Sequence, residues 1–371
     1  MRKKKLESYK PEVIYVNARF LTQPRAGVQR FAFDLCTELY SNKKQVVFLS
    51  PKKISSGYHL NFPVKKIGFF SGVIWEQLEL PLFLFFKRNF ILLNLCNTAP
   101  LLIKHKIVTI HDLSFIKFSS SYNFFYALYY KFSVWLNVLS AVKVITVSET
   151  VKTEMINYYK LASDKVYVVN NYLSDSWINN RIPEDLFNVL QRRYNLEPGK
   201  YFLLVSMYNP LKNIEKVIEL ITTLDEYKLV VVGGYSSTFN KRTKKYLEKL
   251  NNDKIVLTGH VNDDMLLKVF YKNAFSFITL SNYESFCIPI LEAISVDTPV
   301  IARDVGAIKE LFGDYPYYIK LNNNKQLLKD VQNVVTHLKN SKEKDKNYLA
   351  SILKNKYTLR NSFQQLEKLF P

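Results

Sequence analysis

The chain has 371 residues, 48% of them hydrophobic, and a formal net charge of +20. That length favours two domains, with apolar content for two ordinary cores. Its three widely spaced cysteines, Cys36, Cys96 and Cys287, form no metal pattern, and their odd number argues against a disulfide scaffold and for a reducing cytosol.

The opening MRKKKLESYKPE is basic, but no apolar core follows, so no signal peptide is expected. Strands are expected at Val13–Asn17, Gln45–Leu49, Phe90–Leu93, Ile107–Ile110, Val144–Val147 and Val166–Val169. Helical periodicity fills several intervals, among them Val28–Tyr40 and Ser121–Ala141. Val/Ile/Leu runs alternating with helices indicate a parallel sheet covered on both faces. The greasiest stretch, Phe69 to Ile103, is broken by Glu76, Glu79, Lys87 and Arg88. No run reaches ~18 apolar residues, so no transmembrane helix is predicted.

The pattern lapses from Ser174 to Lys200, where Pro183, Pro198, Gly199 and mixed charge indicate a linker with a helix. A second alternation follows. Its strands are expected at Phe202–Val205, Lys228–Val232, Ile255–Leu257, Phe275–Leu280, Pro299–Ala302 and Tyr317–Ile319, with helices at Asp263–Asn273 and Gln326–Lys339. A charged segment, Lys339–Lys346, and a helix to Phe370 close the chain. The expected domains are residues 1–175 and 201–345, with 176–200 as linker and 346–371 as a helix crossing back to the first domain. Two doubly wound, Rossmann-like domains facing each other leave a cleft between their strand ends, where ligands bind.

Five places along this pattern suit ligand chemistry, and each also has a plain structural reading. Glu284 and Glu292 flank the start of a helix that follows the apolar run Phe275–Leu280. They suit a ligand with hydroxyls at two separated points, such as a nucleotide-sugar, with Glu292 about two turns into the next element. Amides near Phe286, Cys287 and Ile288 would meet phosphate at that helix start. The alternative is two surface carboxylates. Gly27, just before a helix, lets amides approach a phosphate, or is a plain turn. His111 and Asp112 end a buried strand, where the histidine reaches substrate and the carboxylate steers it, or where it is simply a bonded edge histidine. Lys212, at a helix start, suits a diphosphate as a point charge, or is an ordinary exposed lysine. Gly259 and His260 offer backbone groups to a base edge, or form a strand-to-helix loop.

These residues together resemble the retaining family 4 glycosyltransferases of GT-B fold. The motif E-S-F-C-I-P-I-L-E-A stands where the family has E-G-F-G-L-P-x-L-E-A. NARFLTQPRAGVQRFA, GVIWEQLELP, NLCNTAP, VTIHDLSF, VITVSE, NPLKN, VVVGG, GHVNDD and DTPVIARDVGAIKE resemble further family blocks, in family order, over most of Val16 to Leu311. The amino-terminal blocks are most similar to bacterial mannosyl- and rhamnosyltransferases of surface-polysaccharide assembly.

The resemblance implies an acceptor-binding first domain and a nucleotide-sugar-binding second one. It implies that Glu292 binds the ribose, Glu284 the donor sugar and leaving phosphate, and Lys212 the diphosphate. Gly27 would belong to the amino-terminal phosphate loop, and His111, with Asp112 beside it, would lie near the transferred sugar. The expected activity moves a hexose from a nucleoside-diphosphate sugar to a lipid-linked oligosaccharide in O-antigen or capsule assembly. GDP-mannose leads as donor, with GDP-fucose, dTDP-rhamnose and UDP-hexoses open. No cofactor and no metal are expected, since no Asp-x-Asp motif is present. Ser285 and Cys287 replace two motif glycines, Leu211 an arginine, and Ser206 and Ala307 two further glycines. The substituted glycines are what supports the other reading, a non-catalytic scaffold that binds sugar or nucleotide.

The +20 charge calls for an anionic partner, nucleic acid or lipid. With basic residues spread along the chain and no nucleic-acid module, no nucleic acid is expected. A peripheral position on the cytoplasmic side of an anionic membrane is expected instead, through Lys104–Lys106 and SYNFFYALYYKF, residues 121–132. The alternatives are a solvated surface for the charge and core packing for the aromatics.

Overall fold

The computed structural model describes residues 11–42, 45–179, 182–183, 186–236, 238–321, 323–340 and 346–370. The basic segment 1–10 and most of the charged segment 339–346 lie outside the described residues. The chain divides into two units, residues 1–116, 127–171 and 359–371 in one, and 117–126 and 172–358 in the other.

The first unit is built on β1 (Val13–Asn17), β2 (Val46–Ser50), β3 (Val64–Lys66), β4 (Phe90–Asn94), β5 (Lys106–Thr109), β6 (Lys143–Thr146) and β7 (Val166–Val168), in the order β3-β2-β1-β4-β5-β6-β7. All neighbours pair in parallel, Ile14 lying opposite both Val46 and Ile91. The central strand β4, FILLN, is buried at every position. A strand covered by helices on both faces has no polar side to show, so it reads as an unbroken apolar run. The edge strand β3 escapes that signal, because its Lys65 and Lys66 are exposed. Lys106 corrects an expectation in the other direction. It is fully buried, its ammonium donating to Pro100 O at 2.7 Å and Asn137 Oδ1 at 2.6 Å, so it cannot rest on a membrane.

The second unit holds β8 (Tyr201–Val205), β9 (Lys228–Val232), β10 (Ile255–Gly259), β11 (Ser276–Thr279), β12 (Val300–Ala302) and β13 (Tyr317–Tyr318), in the order β10-β9-β8-β11-β12-β13. The order reverses between β8 and β11. In open parallel sheets the crevice beyond the carboxyl ends at such a switch point receives the ligand. Described residues of the segment 176–200, expected as a linker, pack inside this unit. Trp177 meets the Tyr271 ring, Tyr194 meets Phe270, and Gly199 N–H donates to Asn273 O. The closing helix is two helices. Lys346–Lys356 packs on the helix Ile288–Ser295 in the second unit, and Leu359–Glu367 packs on the helix Gly27–Asn42 in the first.

Candidate active site

The carboxyl ends of β8 and β11 are tied together before any ligand is considered. After β8 the chain turns through the short 3-10 helix Pro210–Lys212, whose Leu211 N–H donates to the side chain of Asn209. Asn213 adopts a left-handed conformation, φ 50°, and its amide donates to Leu280 O and Asn282 Oδ1, both at 2.8 Å. Asn282 N–H returns a bond to Leu211 O at 2.7 Å, and Arg303 Nη1 donates to Asn282 Oδ1 at 2.9 Å. This lattice fixes the turn that carries Lys212 against the loop that carries Glu284. Their side chains meet with Lys212 Nζ 2.7 Å from Glu284 Oε1. Glu284 is 7% exposed, while a quarter of the lysine side chain is open to solvent. The pair therefore presents a cation at the edge of a buried carboxylate.

The motif continues inward. Phe286 is buried against Phe312 and Tyr357, so its side chain serves the core and only its backbone faces outward chemistry. Cys287 takes the left-handed conformation that the resembled motif reserves for glycine, φ 68°. Burial pushes its thiol well above the ordinary range, Glu284 and Glu292 adding to the shift and Lys212 opposing it. The thiol thus lies in the field of both carboxylates. The helix Ile288–Ser295 begins with few amides to offer. Pro289 has no N–H, and Ile290 N–H already donates to Cys287 O, which leaves Ile288 to supply one. Glu292 lies about one turn into this helix rather than two. It is buried, and Tyr271 OH donates to its Oε2 at 2.9 Å. Gly259 ends β10 at φ 71° with open space around it, and His260 is exposed.

In the first unit, Gly27 is the exposed first residue of its helix. His111 is buried beside Phe31, its N–H held by Asn97 Oδ1. Its Nε2 lies 3.0 Å from Leu95 O. A carbonyl only accepts, so Nε2 carries the proton and Nδ1 is the acceptor of the neutral ring. Burial lowers the pKa of His111, the Leu95 carbonyl and Asp112 opposing it. Asp112 acts on the ring through its charge. Its Oδ1 accepts from the backbone and hydroxyl of Ser114, at the start of the helix Ser114–Lys117.

A second polar constellation went unpredicted. At the ends of β1 and β4, Asn17 Nδ2 donates to Glu76 Oε1 (2.9 Å) and Asn94 Oδ1 (3.0 Å). Arg19 Nε and Thr98 Oγ1 donate to the same glutamate oxygen. These residues line a small polar cavity with Gln23 and Cys96. Its members lie in three of the quoted blocks, NARFLTQPRAGVQRFA, GVIWEQLELP and NLCNTAP, but a glutamate inside an apolar run reads as an interruption rather than as a buried partner.

Two open parallel sheets, each wound on both faces by helices, make up a GT-B architecture, and the second carries a strand-end cation–carboxylate pair. The sequence model of the family "Glycosyl transferases group 1" matches residues 189–350. O-antigen chain mannosyltransferase RfbU of Salmonella typhimurium is 27% identical over 68% of this chain and 67% of its own length. O-antigen chain mannosyltransferase B of Escherichia coli is 27% identical over 58% of this chain and 57% of its own. Among solved structures, Anabaena Alr3699/HepE in complex with UDP and glucose superposes with a TM-score of 0.73 at 15% identity, covering 97% of this chain and 99% of that one. WaaG, a glycosyltransferase involved in lipopolysaccharide biosynthesis, gives 0.68 at 14% identity, covering 96% and 98%. The chain is a glycosyltransferase of the GT-B fold, similar to the O-antigen mannosyltransferases.

Proposed function

We propose that the protein is a retaining hexosyltransferase that moves mannose from GDP-mannose to a lipid-linked oligosaccharide in bacterial O-antigen or capsule assembly. The observation that carries the reading is the Lys212–Glu284 pair at 2.7 Å, set at the sheet's switch point one motif away from the buried Glu292. The names of the curated relatives support mannose and the O-antigen; the donor nucleotide follows from the resemblance.

In this reading Glu292 holds the ribose and Glu284 a sugar hydroxyl. Lys212, at the solvent-open edge of the pair, turns toward the diphosphate as it leaves, where its charge stabilises the charge that develops. The Ile288 amide and the helix dipole add to that field. The leaving phosphate takes the acceptor's proton, so neither a metal nor a protein nucleophile takes part. In the first unit, the resemblance assigns His111 to the transferred sugar, and Nδ1 is the acceptor of its ring. Asp112 contributes by shaping the strand end rather than by contact with the ring. Thermal shift against GDP, UDP and dTDP tests the nucleotide, with stabilisation by GDP alone expected. Transfer from GDP-mannose, measured for Lys212→Ala and Glu284→Gln, tests the site. Unchanged turnover in both variants would falsify the assignment.

A further inference from the structure

Between Lys66 and Lys87 the chain has two ionisable residues, Glu76 and Glu79, and both are engaged in hydrogen bonds within the protein. Glu76 is 1% exposed and bonded to Asn17, Arg19 and Thr98. Glu79 grips the loop before it, its two oxygens accepting Phe69 N–H at 2.6 Å and Phe70 N–H at 3.0 Å. Gly68 makes that grip possible. Its φ is +73°, and a β-carbon there would stand 2.1 Å from Glu79 Oε2. The loop is therefore built to hold two phenylalanines outward, Phe69 at 86% exposure and Phe70 at 56%.

The helical run Gly72–Phe85 follows, with a π-helical turn at Trp75–Glu79. Its inner face, Trp75, Leu80 and Leu84, packs on Tyr15, Phe90 and Leu92. Its outer face is also apolar: Ile74, Leu78, Leu82 and Phe85 are all exposed. Positions four apart drift one way around an α-helix and the other way around a π turn, so the mixture keeps this row in line. A soluble helix covers that face with charge. Here the charge stands at the two ends instead, as exposed Lys65 and Lys66 before the row and Lys87 and Arg88 after it. Lys65 and Lys87 both reach the Phe83 ring, at 5.1 and 5.3 Å, so the cations border the row in space as well.

We propose that the Phe69–Phe70 loop and the outer face of Gly72–Phe85 form the surface on which this protein lies on anionic lipid. The apolar row enters the acyl boundary, and Lys65, Lys66, Lys87 and Arg88 meet the headgroups. A second copy fits poorly, since each chain carries +20 and the same cations would face each other. The surface differs from the segments the sequence suggested. Its purpose rests on the lipid-linked acceptor, although the surface itself is read independently of it.

Co-sedimentation with phosphatidylcholine vesicles, with and without phosphatidylglycerol, tests the proposal. Wild type should bind the anionic vesicles and not the neutral ones. Lys87→Glu with Arg88→Glu should weaken binding at least about thirtyfold. Leu78→Ser with Leu82→Ser should weaken it roughly tenfold or more. Circular dichroism and the GDP thermal shift, read without vesicles, should be unchanged in both variants, which separates this surface from the donor site. Absence of wild-type binding to anionic vesicles overturns the proposal. So does full binding by both variants, with loss appearing instead in Phe132→Ser/Trp135→Ser. Dimerisation of wild type that the Leu78/Leu82 variant abolishes overturns it in favour of a second copy.

Discussion

Gly306 lies so close to Glu284 that a β-carbon on it would stand 2.0 Å from the Glu284 carbonyl oxygen. The next residue completes the contact, Ala307 N–H donating to that same oxygen at 2.9 Å. Gly306 also sits at φ +58°. Gly306→Ala should destabilise the protein by about 3 kcal/mol, combining overlap with backbone strain, and should reduce transfer by displacing Glu284. Gly259→Ala is the comparison, with positive φ but nothing within 4 Å, and should cost about 1 kcal/mol. Urea denaturation of the two variants gives the difference; equal losses would refute the contact.

Lys212 and Glu284 should couple in stability even without ligand. Lys212→Met and Glu284→Gln should each cost about 1 kcal/mol, the lysine's partial exposure keeping the figure low. The double variant should cost less than the sum. Additive losses in a denaturation cycle would mean that the pair does not act as one.

Tyr271→Phe removes one donor to Glu292. Nucleotide affinity should fall about tenfold and stability by about 1–2 kcal/mol, with kcat little changed, because the ribose end is remote from the transferred sugar. A calorimetric Kd equal to wild type would contradict the assignment of Glu292 to the nucleotide.

Burial lowers the pKa of Lys106 to about 8 from an ordinary 10.5, with Glu76 opposing. The unfolded chain then binds more protons between those values, so stability from this group rises with pH across that window and is flat below it. Between pH 8 and 10 wild type should gain about 2 kcal/mol relative to Lys106→Met. Parallel pH curves for the two proteins would show that Lys106 is not held as described.

His111 carries the same sign at lower pH. Its folded pKa lies below the ordinary 6.5, so as pH falls past that value the unfolded chain takes up the proton first and the native state weakens. His111→Gln should flatten this acid limb in thermal melts, and kcat/KM should lose its dependence on the group there. An unchanged acid limb would place the charged form in the native site.

The strands were legible because buried parallel strands have no polar face, and β4, FILLN, hides nothing. The strand β3, VKK, stayed hidden because its exposed lysines look like any surface loop. At the site, Lys212, Glu284 and Glu292 could be found because charge at a strand end is unusual in an apolar context. What they touch was not legible, since Tyr271 and Gly306 stand 21 and 22 residues from their partners Glu292 and Glu284. The direction of Asp112 depended on Ser114, two residues on, and local bonding won over the histidine beside it. Tyr122–Phe132 gave aromatic periodicity without saying which side faced water, and Phe124, Phe125, Leu128 and Phe132 all prove exposed.

The helix Leu359–Glu367 belongs to the first unit. Gln365 exchanges amide bonds with Asn170, and Lys143 Nζ donates to Leu369 O. The amino-terminal sheet is therefore finished by the last described residues of the chain. A ribosome must deliver the whole of the second unit before the first can close. The order of synthesis is the reverse of the order in which the first unit becomes complete. A nascent chain stalled after Thr358 would expose the unclosed face of β6 and β7 and would be a target for chaperones rather than a half-finished enzyme.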